Sequence, residues 1–228
     1  ITEYCNLVTQ TLGEGFEDGE IDEDELRAMI PSEPKAGRLY GLAKDHKVFR
    51  KIPPFRPIIS GSGTITEHIS LFVDHHSNYL VRNLKSYIED TPDFLRRISK
   101  FNNIIIPDNV TPITLDVVGL YTNIPHQEGI GAFKKALDGR LNKKVSTEFL
   151  LKLLTLVLTK NLFEFDGQVY LQTWGTAMGT RLAPGYANLF MGDFEEYAFE
   201  IGEEHVRHIY EEFYVRFIDD GFLLWCGT

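Results

Sequence analysis

Three aspartates sit where a chain rarely places charge. Asp219 and Asp220 are adjacent in the run FYVRFIDDGFLLW, most of which is aromatic or aliphatic, and Asp116 is the only charged residue between Val110 and Ile124. Neighbouring side chains on a strand point to opposite faces, so an aspartate pair inside a strand sends one charge each way. At a tight hairpin tip both carboxylates can project to one side, and Gly221 beside them favours a turn. A carboxylate buried without a partner is costly and two side by side repel, so a divalent cation is their natural counter-charge. Asp116 closes a second β-rich run, and two strands ending in this way can bring three carboxylates to one sheet edge. Hard oxygen ligands of that kind select Mg²⁺ or Mn²⁺. Two such ions serve in-line phosphoryl transfer, one at the attacking hydroxyl and one at the leaving pyrophosphate. The bland alternative is an exposed hairpin tip, since Asp-Asp-Gly is common in turns; the apolar flanks on both sides favour a site.

The elements that must position these residues are legible around them. TPITLDVVGLYTNIP predicts a strand ending in an irregular turn after Asp116. LFEFDGQVYLQ predicts a hairpin about Asp166-Gly167. STEFLLKLLTLVLTKN predicts a helix capped at Ser146 or Thr147, and WGTAMGTRLAPGYANLFMGDFEEYAFE a Gly-rich loop that becomes a helix near Pro184. Further upstream, Pro53, Pro54 and Pro57 impose an extended path into the strand PIIS. TEHISLFVDHHSNYLVRNL and TPDFLRRISKF read as helices, the second with Pro92 near its start. His75 and His76 are adjacent, do not share a helix face, and read as surface residues. DGEIDEDEL imitates the second half of a calcium-binding loop, but Phe16 falls at a ligand place and cannot ligate. The stretch reads instead as an N-cap opening a short helix from Asp22 to Ile30.

At 228 residues and 43% hydrophobic composition the chain can bury a sizeable core, which argues against general disorder. Cys5 and Cys226 lie far apart and make no disulfide framework, which favours a reducing compartment. The first residues lack a signal-peptide layout, and FLLKLLTLVL is too short to span a bilayer and carries Lys152. The expected setting is therefore intracellular, with no membrane partner. The net charge of −10 disfavours a nucleic-acid binder until its distribution is considered. Residues 1–33 carry ten acids and one base, and residues 193–228 ten acids and two bases. Between these, residues 34–56 hold seven bases (Lys35, Arg38, Lys44, Lys47, Arg50, Lys51 and Arg56) and one acid, Asp45. Such a basic island can contact phosphates on an acidic chain, although taken alone a solvated charged loop is the slightly favoured reading.

LDVVGLYTNIP, GTAMGTRLAPGYANLFM and FIDDGF, in that order, resemble the three central palm motifs of reverse transcriptases. With YGLAKDHK and PFRPIIS added, the chain from about Gly37 to Trp225 is most similar to the reverse transcriptases of Penelope-like retroelements. The resemblance implies an α+β fold: a palm of antiparallel sheet backed by helices, with a fingers subdomain and no thumb. Residues 1–33 form an acidic N-terminal segment in that layout, 34–110 the fingers-like region, and 111–228 the palm. Asp116, Asp219 and Asp220 would be the catalytic metal-binding carboxylates, with the Val117 carbonyl as a further ligand and Mg²⁺ (or Mn²⁺) as cofactor. Arg56 and Lys47 would grip the incoming triphosphate, Tyr121 would exclude a ribose 2′-hydroxyl, and Gly179 would let the backbone approach the nucleotide. Lys44, Gly175 and Arg181 would contact nucleic acid.

Asn188 is expected either to anchor its helix or to face the nucleotide. Met178 stands where many of these enzymes have glutamine, and Arg216 where a small or aromatic residue is more usual. The implied activity is RNA-directed DNA synthesis on a primer, with RNA or DNA template, DNA primer and dNTPs as partners and a nuclear location. A thumb and a nuclease domain would lie beyond Thr228, so the chain looks like a fragment. The alternative is a catalytically silent nucleic-acid-binding piece, and a telomerase-like terminal transferase is a third reading.

Overall fold

The computed structural model describes residues 1–45, 48, 51–101 and 109–226. Within them the chain runs α1 (Thr2–Glu17), α2 (Glu23–Met29), β1 (Gly37–Ala43), β2 (Phe55–Ile59), α3 (Glu67–Val81), α4 (Thr91–Ser99) and β3 (Val110–Asp116). It continues through α5 (Leu120–Asn123), α6 (His126–Asp138), α7 (Thr147–Thr159), β4 (Leu162–Phe165), β5 (Gln168–Leu171), α8 (Ala183–Glu200), α9 (Glu204–Phe213), β6 (Tyr214–Phe217) and β7 (Asp220–Cys226).

The strands form two sheets. The first has the order β3-β7-β6 and is antiparallel throughout, with Asp116 paired to Asp220 and Asp220 to Phe217. The second has the order β2-β1-β4-β5, in which β1 and β4 run parallel and the other pairs antiparallel. This sheet draws strands from both sides of residue 110, so the spatial unit around β1 and β2 is completed by a hairpin from the later half of the chain. Pro57 is tolerated because β2 is an edge strand. The β4–β5 hairpin turns through Asp166 (φ 51°) and Gly167 (φ 74°), the left-handed pair that a two-residue turn requires.

Local chemistry sets the helix ends. Asp22 accepts from the Glu25 amide and Glu25 accepts from the Asp22 amide, a reciprocal capping box opening α2. Ser146 caps α7 through the Phe149 amide, and Asp90 caps α4 through the Asp93 amide. The main core lies among α1, α2, α3, α6, α7 and α8, where Leu12, Ile69, Phe133, Leu150, Leu153 and Tyr186 are fully buried. The acidic N-terminal segment is part of it: Val8, Leu12, Ile21 and Met29 pack into this core, most of its carboxylates are exposed, and the Glu20 carboxylate accepts from the Ser146 amide at 2.6 Å. A smaller cluster of Ile209, Tyr210, Tyr214 and Leu223 joins α9 to the three-stranded sheet. His75 is exposed, but His76 is half-buried with its ring 4.6 Å from that of Phe72. No described helix is long and apolar enough to cross a membrane.

Candidate active site

The three aspartates meet, and the ladder shows how. Asp116 is the last residue of β3 and Asp220 the first of β7, directly opposite each other in the antiparallel register. Asp219 precedes them at the hairpin tip, where its carbonyl accepts from the Val117 amide at 2.9 Å. The 103 residues between Asp116 and Asp220 are thus closed by backbone pairing. The carboxylates are less enclosed than the apolar flanks suggested. Asp116 and Asp220 are exposed and Asp219 is half-buried, because these residues end their strands rather than occupy the middle of a core. The turn also differs from expectation. Its left-handed residue is Ile218 (φ 55°), not Gly221, which lies in β7 opposite Leu115 and Arg216. A side chain at Gly221 would press on Leu115 and the Tyr214 ring, each 3.3 Å from a Cβ placed there. A β-branched residue at positive φ is a strained conformation costing about 1–3 kcal/mol, so the surroundings must hold it.

Arg216 does so. This residue is fully buried, and its Nε donates to Glu195 Oε1 at 2.5 Å. Its Nη1 donates to Asn188 Oδ1 and to the Ile218 carbonyl, both at 2.8 Å. Glu195 also accepts from the Ser86 and Tyr214 hydroxyls, at 2.6 and 2.8 Å. The Arg216 backbone is gripped as well, donating to the Ser86 carbonyl and accepting from the Ile88 amide. The sequence analysis treated Arg216 only as a departure and missed Glu195. A signal was present: an arginine in an apolar strand needs a buried acid, and Glu195 lies seven residues after Asn188, two turns along the same helix face. Asn188 anchors the hairpin to α8 rather than standing free.

The turn after Asp116 and the Gly-rich loop before α8 are locked together. Gly119 (φ 64°) opens the short helix α5, the Thr176 amide donates to the Tyr121 carbonyl at 2.7 Å, and the His126 ring bonds the Gly175 carbonyl at 2.8 Å. A Cβ on Gly175 would stand 2.6 Å from the Tyr121 carbonyl oxygen, and one on Gly179 would stand 1.9 Å from that of Ile59. Both glycines are therefore required by backbone packed on backbone. At Gly179 this joins the loop to β2 through a bridge with Ser60.

That bridge brings β2, and with it Arg56, toward the aspartates. Tyr121 reports the approach: burial raises its hydroxyl pKa, the Asp219 carboxylate raises it further, and the Arg56 guanidinium opposes both. Arg56 is exposed on β2, opposite Leu42. Lys44 is half-buried just past β1, its amide bonded to the Pro54 carbonyl. Arg181 is exposed near Asp74, whose pKa is raised mainly by burial and pulled back by that guanidinium. Lys47 lies outside the described residues.

The donor chemistry fits a hard divalent cation. Asp116 and Asp220 are like charges directly opposed across a ladder, which is unfavourable, and no described cationic side chain pairs with either. Among the described residues no group of three or more His, Cys, Asp or Glu is disposed to enclose a metal. Mg²⁺ does not ask for such a cage, because it is commonly held by one or two carboxylates together with substrate phosphates. Asp116 and Asp220 are the pair that would hold it, with Asp219 and the Val117 carbonyl beside them.

A three-stranded sheet with paired carboxylates at its edge, helices behind it and a second sheet docked through a Gly-rich loop is the palm-and-fingers arrangement of right-hand polymerases. Solved structures bear this out at the level of fold. The chain is similar to apo telomerase from Candida tropicalis truncated from its C-terminal domain, with TM-score 0.61 and 13% identity over 86% of this chain and 45% of that one. It is similar to telomerase from Candida albicans in complex with a fragment of telomeric RNA, with TM-score 0.62 and 10% identity over 85% and 38%. The RNA-dependent RNA polymerase of a human picobirnavirus gives TM-score 0.59 and 14% identity over 85% and 36%. The chain thus spans less than half the length of these structures. No family model and no curated protein matches it.

Proposed function

We propose that this chain is the palm-and-fingers core of an RNA-directed DNA polymerase of the Penelope-like retroelement kind, adding deoxynucleotides to a primer 3′-hydroxyl. The observation that carries the reading is the direct opposition of Asp116 and Asp220, with no ion pair to a cationic side chain among the described residues, beside Asp219. Polymerase palms of both reverse transcriptases and RNA polymerases share the fold, and the choice of DNA synthesis rests on the motifs LDVVGLYTNIP, GTAMGTRLAP and FIDDGF together with Tyr121.

In this reading Asp116, Asp219 and Asp220 present oxygen ligands at the point where primer and triphosphate meet. Bound Mg²⁺ would supply charge neutralisation and Lewis acidity for phosphoryl transfer. The Arg56 guanidinium, a planar fork suited to paired phosphate oxygens, holds the triphosphate from the fingers side, with Lys47 as its expected partner. Tyr121 is half-buried and its carbonyl accepts from the Thr176 amide; in this reading its ring would exclude a ribose 2′-hydroxyl. Gly179 and Gly175 serve by seating the loop against β2 and the turn after Asp116, while Lys44 and Arg181 line the approach of template and primer. The nucleic-acid partners are then an RNA or DNA template and a DNA primer.

The test is primer extension by the chain with RNA template, DNA primer, dNTPs and Mg²⁺, beside Asp219→Asn. Extension lost in the variant supports the proposal. Equal template binding by both proteins with extension by neither would establish a silent binding module instead.

A further inference from the structure

We propose that Arg216, through its buried contact with Glu195, is the positioning residue that holds the Asp219–Asp220 tip in its metal-binding geometry. It touches neither metal nor substrate in this assignment, and the proposal rests on the polymerase reading of the site given above. A buried arginine–glutamate pair is a poor source of net stability, because taking two charges out of water offsets most of their attraction. What this pair has beyond a stabilising ion pair is direction. One guanidinium joins three things that must keep register: the Ile218 carbonyl in the strained turn, Asn188 on α8, and Glu195 two turns further along the same face of that helix. Glu195 is in turn saturated, with Ser86 and Tyr214 donating to it, so the guanidinium has one orientation available.

The consequence reaches the aspartates by a short path. The Ile218 carbonyl precedes Asp219, and the Asp219 carbonyl accepts from the Val117 amide, next to Asp116. The Ile218 side chain packs on the main core and its neighbours are held by the ladder, but the guanidinium is the side-chain donor to the Ile218 carbonyl, and without it the turn relaxes toward conformations an isoleucine prefers. Asp219 and Asp220 then lose their register against Asp116. The same node ties the tip to α8, whose start follows the loop bridged to the fingers sheet at Gly179.

The test uses the full chain carrying Glu195→Gln with Arg216→Met. This pair removes both buried charges, while the glutamine amide still serves the Ser86 and Tyr214 hydroxyls. The expected result is a Tm close to wild type, Val117 amide hydrogen exchange faster by tenfold or more, Mn²⁺ affinity (by electron paramagnetic resonance of free Mn²⁺) lower by about tenfold, and extension slower by about thirtyfold. Arg216→Lys, which keeps the charge but not the fork, should recover part of the metal affinity. Should the double variant fail to fold, Asn188→Ala leaves the ion pair intact and should show the same pattern to a smaller degree. Wild-type metal affinity and Val117 exchange in a folded protein without the guanidinium would overturn the proposal. If wild type itself extends no primer, the polymerase reading fails, and exchange and Mn²⁺ affinity still judge the positioning role.

Discussion

Replacing Asp220 by asparagine should stabilise the metal-free protein and abolish its response to Mg²⁺. The two effects have opposite signs and a common origin in the Asp116–Asp220 pairing. Directly opposed residues of an antiparallel pair have Cβ atoms roughly 4.5–5.5 Å apart, and like charges there are unfavourable by about 0.2–1 kcal/mol. Coulomb's law at 5.5 Å gives about 0.8 kcal/mol in bulk water and about 3 kcal/mol at an effective dielectric of 20. Both side chains are exposed and screened by salt, so the lower figure governs. A gain of about 0.8 kcal/mol in a domain of this size raises Tm by roughly 2–3 °C. Metal works the other way. At ten times its dissociation constant Mg²⁺ stabilises wild type by RT ln 11, about 1.4 kcal/mol, or roughly 3–5 °C. Differential scanning calorimetry at low salt, with and without Mg²⁺, reads both. Asp220→Asn should melt above wild type in EDTA and below it in saturating Mg²⁺. A variant that melts below wild type in EDTA, or one that retains the Mg²⁺ shift, would refute the claim that these carboxylates are an uncompensated pair awaiting a cation.

Three further outcomes follow from the same geometry. Gly179→Ala places a Cβ 1.9 Å from the Ile59 carbonyl oxygen, where no side-chain motion relieves it, so denaturant unfolding should show a loss of at least 2 kcal/mol together with loss of the link to β2. Tyr121→Ala should raise incorporation of ribonucleotides relative to deoxynucleotides by tenfold or more in competition assays, with thermal stability falling modestly because the ring is only half-buried. Burial, helped by Glu195 and Glu196, pushes the Tyr210 hydroxyl up to about 12 from 10. A raised folded-state pKa means stability that is complete below pH 10 and is lost between pH 10 and 12. Tyr210→Phe should flatten that alkaline limb in a pH series of urea midpoints, with Tyr186 and Tyr214, raised further still by burial, accounting for the remainder.

What the sequence made legible follows from which signals are local. The Asp166-Gly167 hairpin, the Ser146 cap and the helix beginning near Pro184 are each specified within about ten residues, and each stands where expected. The helices α1, α6 and α9 were not foreseen, because acidic and glycine residues diluted their apolar stripes; Gly15 and Gly129 are there for close packing, against Phe149 and Tyr186. The pairing of Asp116 with Asp220 was expected from two matching strand ends. Burial was misjudged because an apolar run does not reveal where its strand stops. The turn residue was misassigned for a related reason: glycine is the usual occupant of a left-handed position, and nothing local to Ile218 announces that Arg216 will hold it there.

That last point bears on how the site is stabilised. Two unfavourable features sit within three residues: a β-branched side chain at positive φ, at about 1–3 kcal/mol, and a like-charge cross-strand pair, at up to about 1 kcal/mol. Neither is relieved by its immediate neighbours. The first is offset by a guanidinium whose other bonds run to α8 and, through Glu195, to Ser86 beyond α3. The second awaits a cation. A chain selected for stability alone would have glycine at 218 and an uncharged residue at 116 or 220. Retaining isoleucine and both aspartates, and placing a fully buried arginine behind them, makes sense only if the exact disposition of those carboxylates matters more than the few kcal/mol that the simpler turn would return.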